Sequence, residues 1–235
     1  MIDFLYGTLI FFAYLIPLAL VMILIRKFTK IPDELFRKIL HLILLGAYIP
    51  LVFGFKEWWQ AFVFALGLGT LLYPILTLFA KIPGFSSFVN ERKKGEFTNS
   101  MALAMGVMAF STAIGWGLFD DRYLVLASVY SWGVGDAFAA LIGKRFGKHK
   151  ITWKFVDNKK SVEGSLAMII TSCIAVFIVL LIRGGINPVL SILVSLVVSL
   201  ASTFVELCSK NGMDTVFCPV ISMAILLPLI SLIGG

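Results

Sequence analysis

Histidine and cysteine are scarce in this chain: His41 and His149 are the two histidines, and Cys173, Cys208 and Cys218 the three cysteines, among 235 residues. The cysteines form no CxxC pair and the histidines stand far apart, which argues against a zinc site of the usual spacing. Charge is scarce as well, 14% of residues against 60% hydrophobic, and a soluble core of this size cannot hide that much apolar surface. No GxxxxGK[ST] occurs, and the pairs Gly67/Gly69 and Gly115/Gly117 lie inside apolar runs. The nucleotide signatures of soluble strand–turn–helix units are therefore missing. Basic residues are split over many short stretches without a recognisable module, so no nucleic-acid partner is expected.

What the chain does have is long apolar runs. Several exceed the about 18 residues that mark a membrane span, and only helices satisfy their own backbone in hydrocarbon. Spans are expected near residues 4–25, 39–55, 57–80, 98–118, 122–142, 164–182, 187–207 and 215–232. The fold class is therefore all-α, a polytopic membrane protein of about eight helices. The whole of 1–235 is expected as a single transmembrane domain. The first run has Asp3 in front and Arg26 and Lys27 behind, the reverse of a secretory signal, so it is expected as a retained helix. All of the 20 Lys and Arg residues except Lys56, Arg122 and Arg183 fall in the odd-numbered gaps between spans. The positive-inside rule then puts those gaps in the cytoplasm and both termini on the opposite side. The cytoplasmic loops so defined are 26–38, 81–97, 143–163 and 208–214, and they carry nearly all the unusual chemistry.

Four stretches concentrate that chemistry. In RKILH (37–41), Arg37 and His41 share a helix face beside Lys38. An interfacial basic flank competes there with a cationic face for a phosphate or head group. In ERKKGEFTNSMA (91–102), Lys93 and Lys94 precede Glu96, Thr98, Asn99 and Ser100. Capping by Thr98 or Asn99 explains part of this, whereas Glu96 beside a span points to a site. Asp136, between Gly135 and Ala137, is costly at membrane depth unless it meets a cation, a metal or water. A structural ion pair is the plainer alternative. Downstream, GKRFGKHKITWKFVDNKKSVEG joins Lys144 and Lys148 to Lys159, Lys160, Ser161, Glu163 and Gly164. Gly143 and Gly147 can adopt positive φ and so expose backbone N–H groups, and Ser161 is expected to cap the next helix. A basic loop meeting a helix N-terminus suits polyphosphate, though inside topology also demands basic loops. Last, ELCSKNGMDT (206–215) places Glu206 at the end of one span and Asp214 at the start of the next. Asp214 as a simple cap competes with a carboxylate cluster of Asp136, Glu206 and Asp214. Hard oxygen ligands of that kind suit Mg²⁺.

Taken in order, RKILH, GEFTNS (95–100), GDAFAALIGKRFG (135–147), KKSVEGS (159–165) and ELCSKNGMDTVFCP (206–219) resemble the CTP-dependent lipid-alcohol kinases, which include dolichol kinase, phytol kinase and the yeast-type diacylglycerol kinase. The related phosphatidate cytidylyltransferases share an acid before a GKRFGKHK-like stretch. They also carry a C-terminal GDR-x-DS-type signature, where this chain reads KNGMDTVFCP with neither the Arg nor a second acid. That departure favours the kinase, with cytidylyl transfer and transport of an anionic solute as the competing readings. The resemblance implies CTP as donor and a membrane lipid alcohol as acceptor: dolichol or polyprenol, a phytol-type isoprenoid alcohol, or diacylglycerol. It implies Mg²⁺ on Asp136, Glu206 and Asp214. Nucleotide contacts would come from Lys144, Gly147, Lys148, Lys159, Lys160, Ser161, Glu163 and Gly164, and head-group or phosphate contacts from Arg37, Lys38, His41 and Asn99. Asp136, Glu96 and Lys144 are the catalytic candidates. The expected setting is a cytoplasmic or endoplasmic-reticulum-type membrane with the site facing the cytoplasm. A homodimer is left open.

Overall fold

The computed structural model describes residues 2–82, 84–85, 91, 95–153, 156, 160–210 and 212–233. Among these, nine α-helices account for the architecture: α1 (Ile2–Phe28), α2 (Asp33–Gly46), α3 (Tyr48–Gly54), α4 (Trp58–Phe79), α5 (Glu96–Ser111), α6 (Arg122–Phe146), α7 (Val162–Arg183), α8 (Pro188–Cys208) and α9 (Asp214–Ile233). α5 passes into a π-helical segment, Thr112–Leu118. Joining α2 to α3, and α5 to the π segment, leaves eight stretches long and apolar enough to cross a membrane. No named strand occurs among the described residues, only an isolated bridge between Lys150 and Ser161. The chain forms two compact units, residues 1–113 and 114–235.

In the first unit, α1 and α3–α4 meet through aromatic rings. Phe11 and Phe55 both lie against Phe64, with ring centroids 4.9 and 5.1 Å apart. Gly7 permits this, because a Cβ there would sit 2.5 Å from the Phe55 ring. Rings of this size dominate packing where the solvent itself is apolar and burial alone drives little.

The second unit holds α6–α9 in antiparallel succession. α7 shows how a membrane helix sorts its faces. Gly164, Ala167, Met168, Ser172, Val176, Val179 and Leu180 turn inward, while Leu166, Ile170, Ile174, Ile178 and Ile182 are exposed. Small and hydroxyl-bearing residues take the interior because they let backbones approach, and bulky aliphatics face lipid at no cost. Gly135 of α6 is one such approach point, since a Cβ would come within 2.2 Å of Ser172 Oγ. One layer of buried hydroxyls then ties all four helices. The Ser131 carbonyl accepts from Ser172 Oγ and, at 3.5 Å, from Ser202 Oγ, and Ser131 Oγ donates to Ser222 Oγ at 2.7 Å. Each such bond contributes about 0.6 kcal/mol in a bilayer. The layer fixes the register of the four helices.

Candidate functional site

The helices of the second unit run further than hydropathy indicates. α6 continues to Phe146, so Gly143, Lys144 and Arg145 are helical instead of forming the start of a loop. α2 likewise begins at Asp33 and includes Arg37 and Lys38. Charged end turns are helical without being apolar, and a hydropathy scan stops short of them. Gly147 does not use the positive φ open to glycine, its φ being −68°. Its lack of a side chain serves close packing instead. A Cβ there would lie 2.2 Å from the Gly143 carbonyl oxygen and 2.6 Å from Ser161 Oγ. Gly164 is comparably tight, 3.0 Å from the Ala139 carbonyl oxygen and 3.3 Å from Gly143 Cα.

These glycines bring the end of α6 onto the start of α7 and close the base of the connecting segment. Ile151 N–H donates to the Lys160 carbonyl at 3.1 Å, and Val162 N–H donates to the His149 carbonyl at 2.9 Å. Ser161 Oγ caps α7 by accepting from Gly164 N–H at 3.2 Å, as its position predicts. Glu163 does not stand apart as a ligand. Its Oε1 accepts from the amides of Lys148 and His149 at 3.1 and 3.2 Å and lies 2.7 Å from His149 Nδ1. The amides of Gly147, Lys148, His149 and Gly164 are thus engaged in shaping the segment. The side chains of Lys144, Arg145, Lys148 and Lys150 are exposed along it, and Lys144 and Lys148 are the two singled out by the sequence. Lys159 lies outside the described residues.

Three acids converge beside this base. Lys160 donates to the Glu206 carbonyl and pairs with Glu206 Oε1 at 2.9 Å, with side chains only 20% and 13% exposed. Trp132, itself 5% exposed, donates its indole N–H to Asp214 Oδ2 at 3.1 Å. Asp136 follows one turn after Trp132 on α6, half-buried. Glu206 and Asp214 both lie in the field of Asp136 and of Lys160. Asp214 opens α9, where the helix dipole favours an anion. Lys160, Glu206, Asp214 and Asp136 are thereby brought together from four separate places in the sequence.

Among the described residues no three His, Cys, Asp or Glu side chains are drawn into a cage able to hold a metal unaided. Mg²⁺ does not need one, because it is commonly held by one or two carboxylates, waters and substrate phosphates. The donor chemistry of Asp136, Glu206 and Asp214 fits that ion.

In the first unit, Arg37 pairs with Glu34 one turn earlier, Lys38 is 8% exposed, and His41 is half-buried on the same helix. Glu96 stands in the first turn of α5, and Asn99 is exposed. The cap of α5 is neither Thr98 nor Asn99. Glu91 supplies it, accepting from the amides of Gly95 and Phe97 at 3.3 and 3.1 Å, with Gly95 at φ 82°. Gly95 is where a positive φ is required. Thr98 is buried, and its Oγ1 meets no hydrogen-bond partner among the described residues. Neither Glu91 nor Trp132 was singled out by sequence reasoning. For Trp132 one signal was there: it precedes Asp136 by four residues on one helix face.

The sequence profile described as "Cytidylyltransferase family" matches residues 2–209. The phytol kinase of Synechocystis is 28% identical over 219 residues, covering 88% of this chain and 84% of that kinase. The dolichol kinase of Saccharomyces cerevisiae is 46% identical over 48 residues, 20% of this chain and 8% of that kinase. No solved structure matches the chain.

Proposed function

The chain belongs to the cytidylyltransferase family, and from that premise we propose that it is a membrane-embedded kinase that moves the γ-phosphate of CTP onto the hydroxyl of a lipid alcohol. The observation that carries the reading is the convergence of Asp136, Glu206 and Asp214 with Lys160 at the end of the bundle where Lys144 and Lys148 are presented. The near-full-length likeness to a phytol kinase supports phosphoryl rather than cytidylyl transfer. A position at the end of apolar helices suits the substrates. The acceptor's tail stays in the bilayer while its hydroxyl meets a nucleotide arriving from water, on the cytoplasmic side by the distribution of Lys and Arg.

In this reading Lys144 and Lys148 bind the nucleotide phosphates. Asp136, Glu206 and Asp214 would hold Mg²⁺, which supplies neutralisation of the phosphate charge when bound. The acceptor oxygen attacks the γ-phosphorus and forms the new P–O bond. The bond from that phosphorus to the β,γ-bridging oxygen breaks, and CDP departs with the electron pair. The hydroxyl proton passes to a carboxylate, for which Asp136 is the candidate within this unit. Positioning and charge stabilisation dominate such a transfer.

The test is incubation of the purified protein with Mg²⁺, γ-labelled CTP and, separately, polyprenol, phytol, geranylgeraniol and diacylglycerol. Label in a lipid monophosphate, released together with CDP, is expected, and the acceptor that takes it names the substrate. Pyrophosphate release with phosphatidate, and no labelled lipid, would replace the kinase with a cytidylyltransferase.

A further inference from the structure

Glu206 and Asp214 are held by donors of different kind. Glu206 is paired with an ammonium, which offsets its charge. Asp214 receives an indole N–H, which fixes one oxygen without bringing a positive charge to it. A carboxylate offers about four lone-pair sites, and a single N–H uses one of them. Trp132 and Asp136 are four residues apart on α6, so the same helix face that carries one acid of the cluster orients another that belongs to α9. At 5% exposure the indole must find an acceptor, and here that acceptor is a carboxylate at the very start of a helix.

We infer that Trp132 is a positioning residue for the divalent-cation site, locking Asp214 beside Asp136 by a neutral hydrogen bond that orients the carboxylate without neutralising it. The inference rests on the reading above only in assigning Asp214 to the cation. Donors behind metal ligands typically contribute 10- to 100-fold in affinity.

The experiment uses the full chain in detergent, with Mn²⁺ alone as probe and free Mn²⁺ counted by electron paramagnetic resonance. Trp132→Phe keeps the ring and removes the N–H. It is expected to weaken Mn²⁺ binding by about tenfold, and to raise the Mg²⁺ concentration for half-maximal lipid phosphorylation by a similar factor with KM for the lipid unchanged. Trp132→His, which retains a ring N–H, is expected to recover part of the loss. Added to Asp214→Asn, Trp132→Phe is expected to cost nothing further, because the two act through one bond. A purely structural tryptophan would lower thermal stability and leave the Mn²⁺ affinity of the folded fraction unchanged, and that result overturns the inference, as does a wild-type chain that binds no Mn²⁺. If Mn²⁺ binding depends on Trp132 while the wild type labels no lipid, the inference stands and the kinase reading falls.

Discussion

The second unit has two ends, and each is held by an ion pair of nearly the same burial. Lys160 and Glu206 are 20% and 13% exposed, and Arg183 and Asp121 are 17% and 12%. Their surroundings differ. Asp121 accepts from the amides of Tyr123 and Leu124, capping α6, and from Arg183 Nε at the end of α7. Every contact there closes structure, and Arg122 beside it lies over the Trp116 ring at 4.0 Å. At the opposite end Glu206 shares its lysine's field with two more carboxylates, Asp136 and Asp214. Burial of an ion pair therefore says little about its role. What distinguishes a site is several carboxylates gathered at one place, an arrangement that costs stability and persists where a cation or a ligand completes it.

Removing a member of the gathered acids should give the largest effect. Asp136→Asn keeps the shape and removes the charge, and kcat is expected to fall by roughly a thousandfold or more, the scale of a lost electrostatic contact to a transferring phosphoryl group. Full activity in Asp136→Asn would remove the distinction between the two ends.

Lys160→Met comes next. Turnover is expected to drop by about a hundredfold because the gathered acids lose their local cation, and unfolding should cost about 3–5 kcal/mol less because Glu206 is left buried and unpaired. Adding Glu206→Gln should restore most of the stability, read by denaturant unfolding, and none of the turnover. Recovery of both would make the pair a structural latch like its counterpart at the far end.

How much of this contrast could be read in advance follows from the range of each signal. Spans were legible, because hydropathy is a sum over neighbours and α7, α8 and α9 fall within a few residues of where their apolar runs lie. The acids were legible as anomalies, since a carboxylate such as Asp136 stands out in an apolar run. Partners were not. Lys160 and Glu206 are 46 positions apart, and Trp132 and Asp214 are 82 apart, so no local pattern encodes either pairing. The glycines misled for a partly related reason: Gly147 looks like a flexible turn in sequence, but its constraints are the Gly143 carbonyl one turn back and the Ser161 hydroxyl across the connecting segment.

Glu163→Gln probes the rigid base of the connecting segment at the charged end. The glutamine keeps one acceptor oxygen for the amides of Lys148 and His149 and loses the anionic pairing with His149. KM for CTP is expected to rise roughly two- to tenfold with kcat unchanged, the scale of a single weakened hydrogen bond. An unchanged KM would mean that the backbone bonds at Ile151 and Val162 hold Lys148 in place on their own.

The smallest effect on turnover belongs to Arg183→Met. The substitution strands Asp121 at 12% exposure, so unfolding should become easier by about 3 kcal/mol, less whatever the two helix amides already bound to Asp121 recover. Turnover per folded molecule should nonetheless match wild type, because the residues that gather charge lie at the opposite ends of α6 and α7. The comparison requires counting folded protein, for example by gel filtration in detergent, before rates are normalised. A normalised kcat reduced tenfold or more would mean that α6 and α7 transmit the state of one end to the other. The hydroxyl layer at Ser131 and Ser172 ties α6 to α7 between those two ends, so Ser172→Ala would then be expected to reproduce the loss.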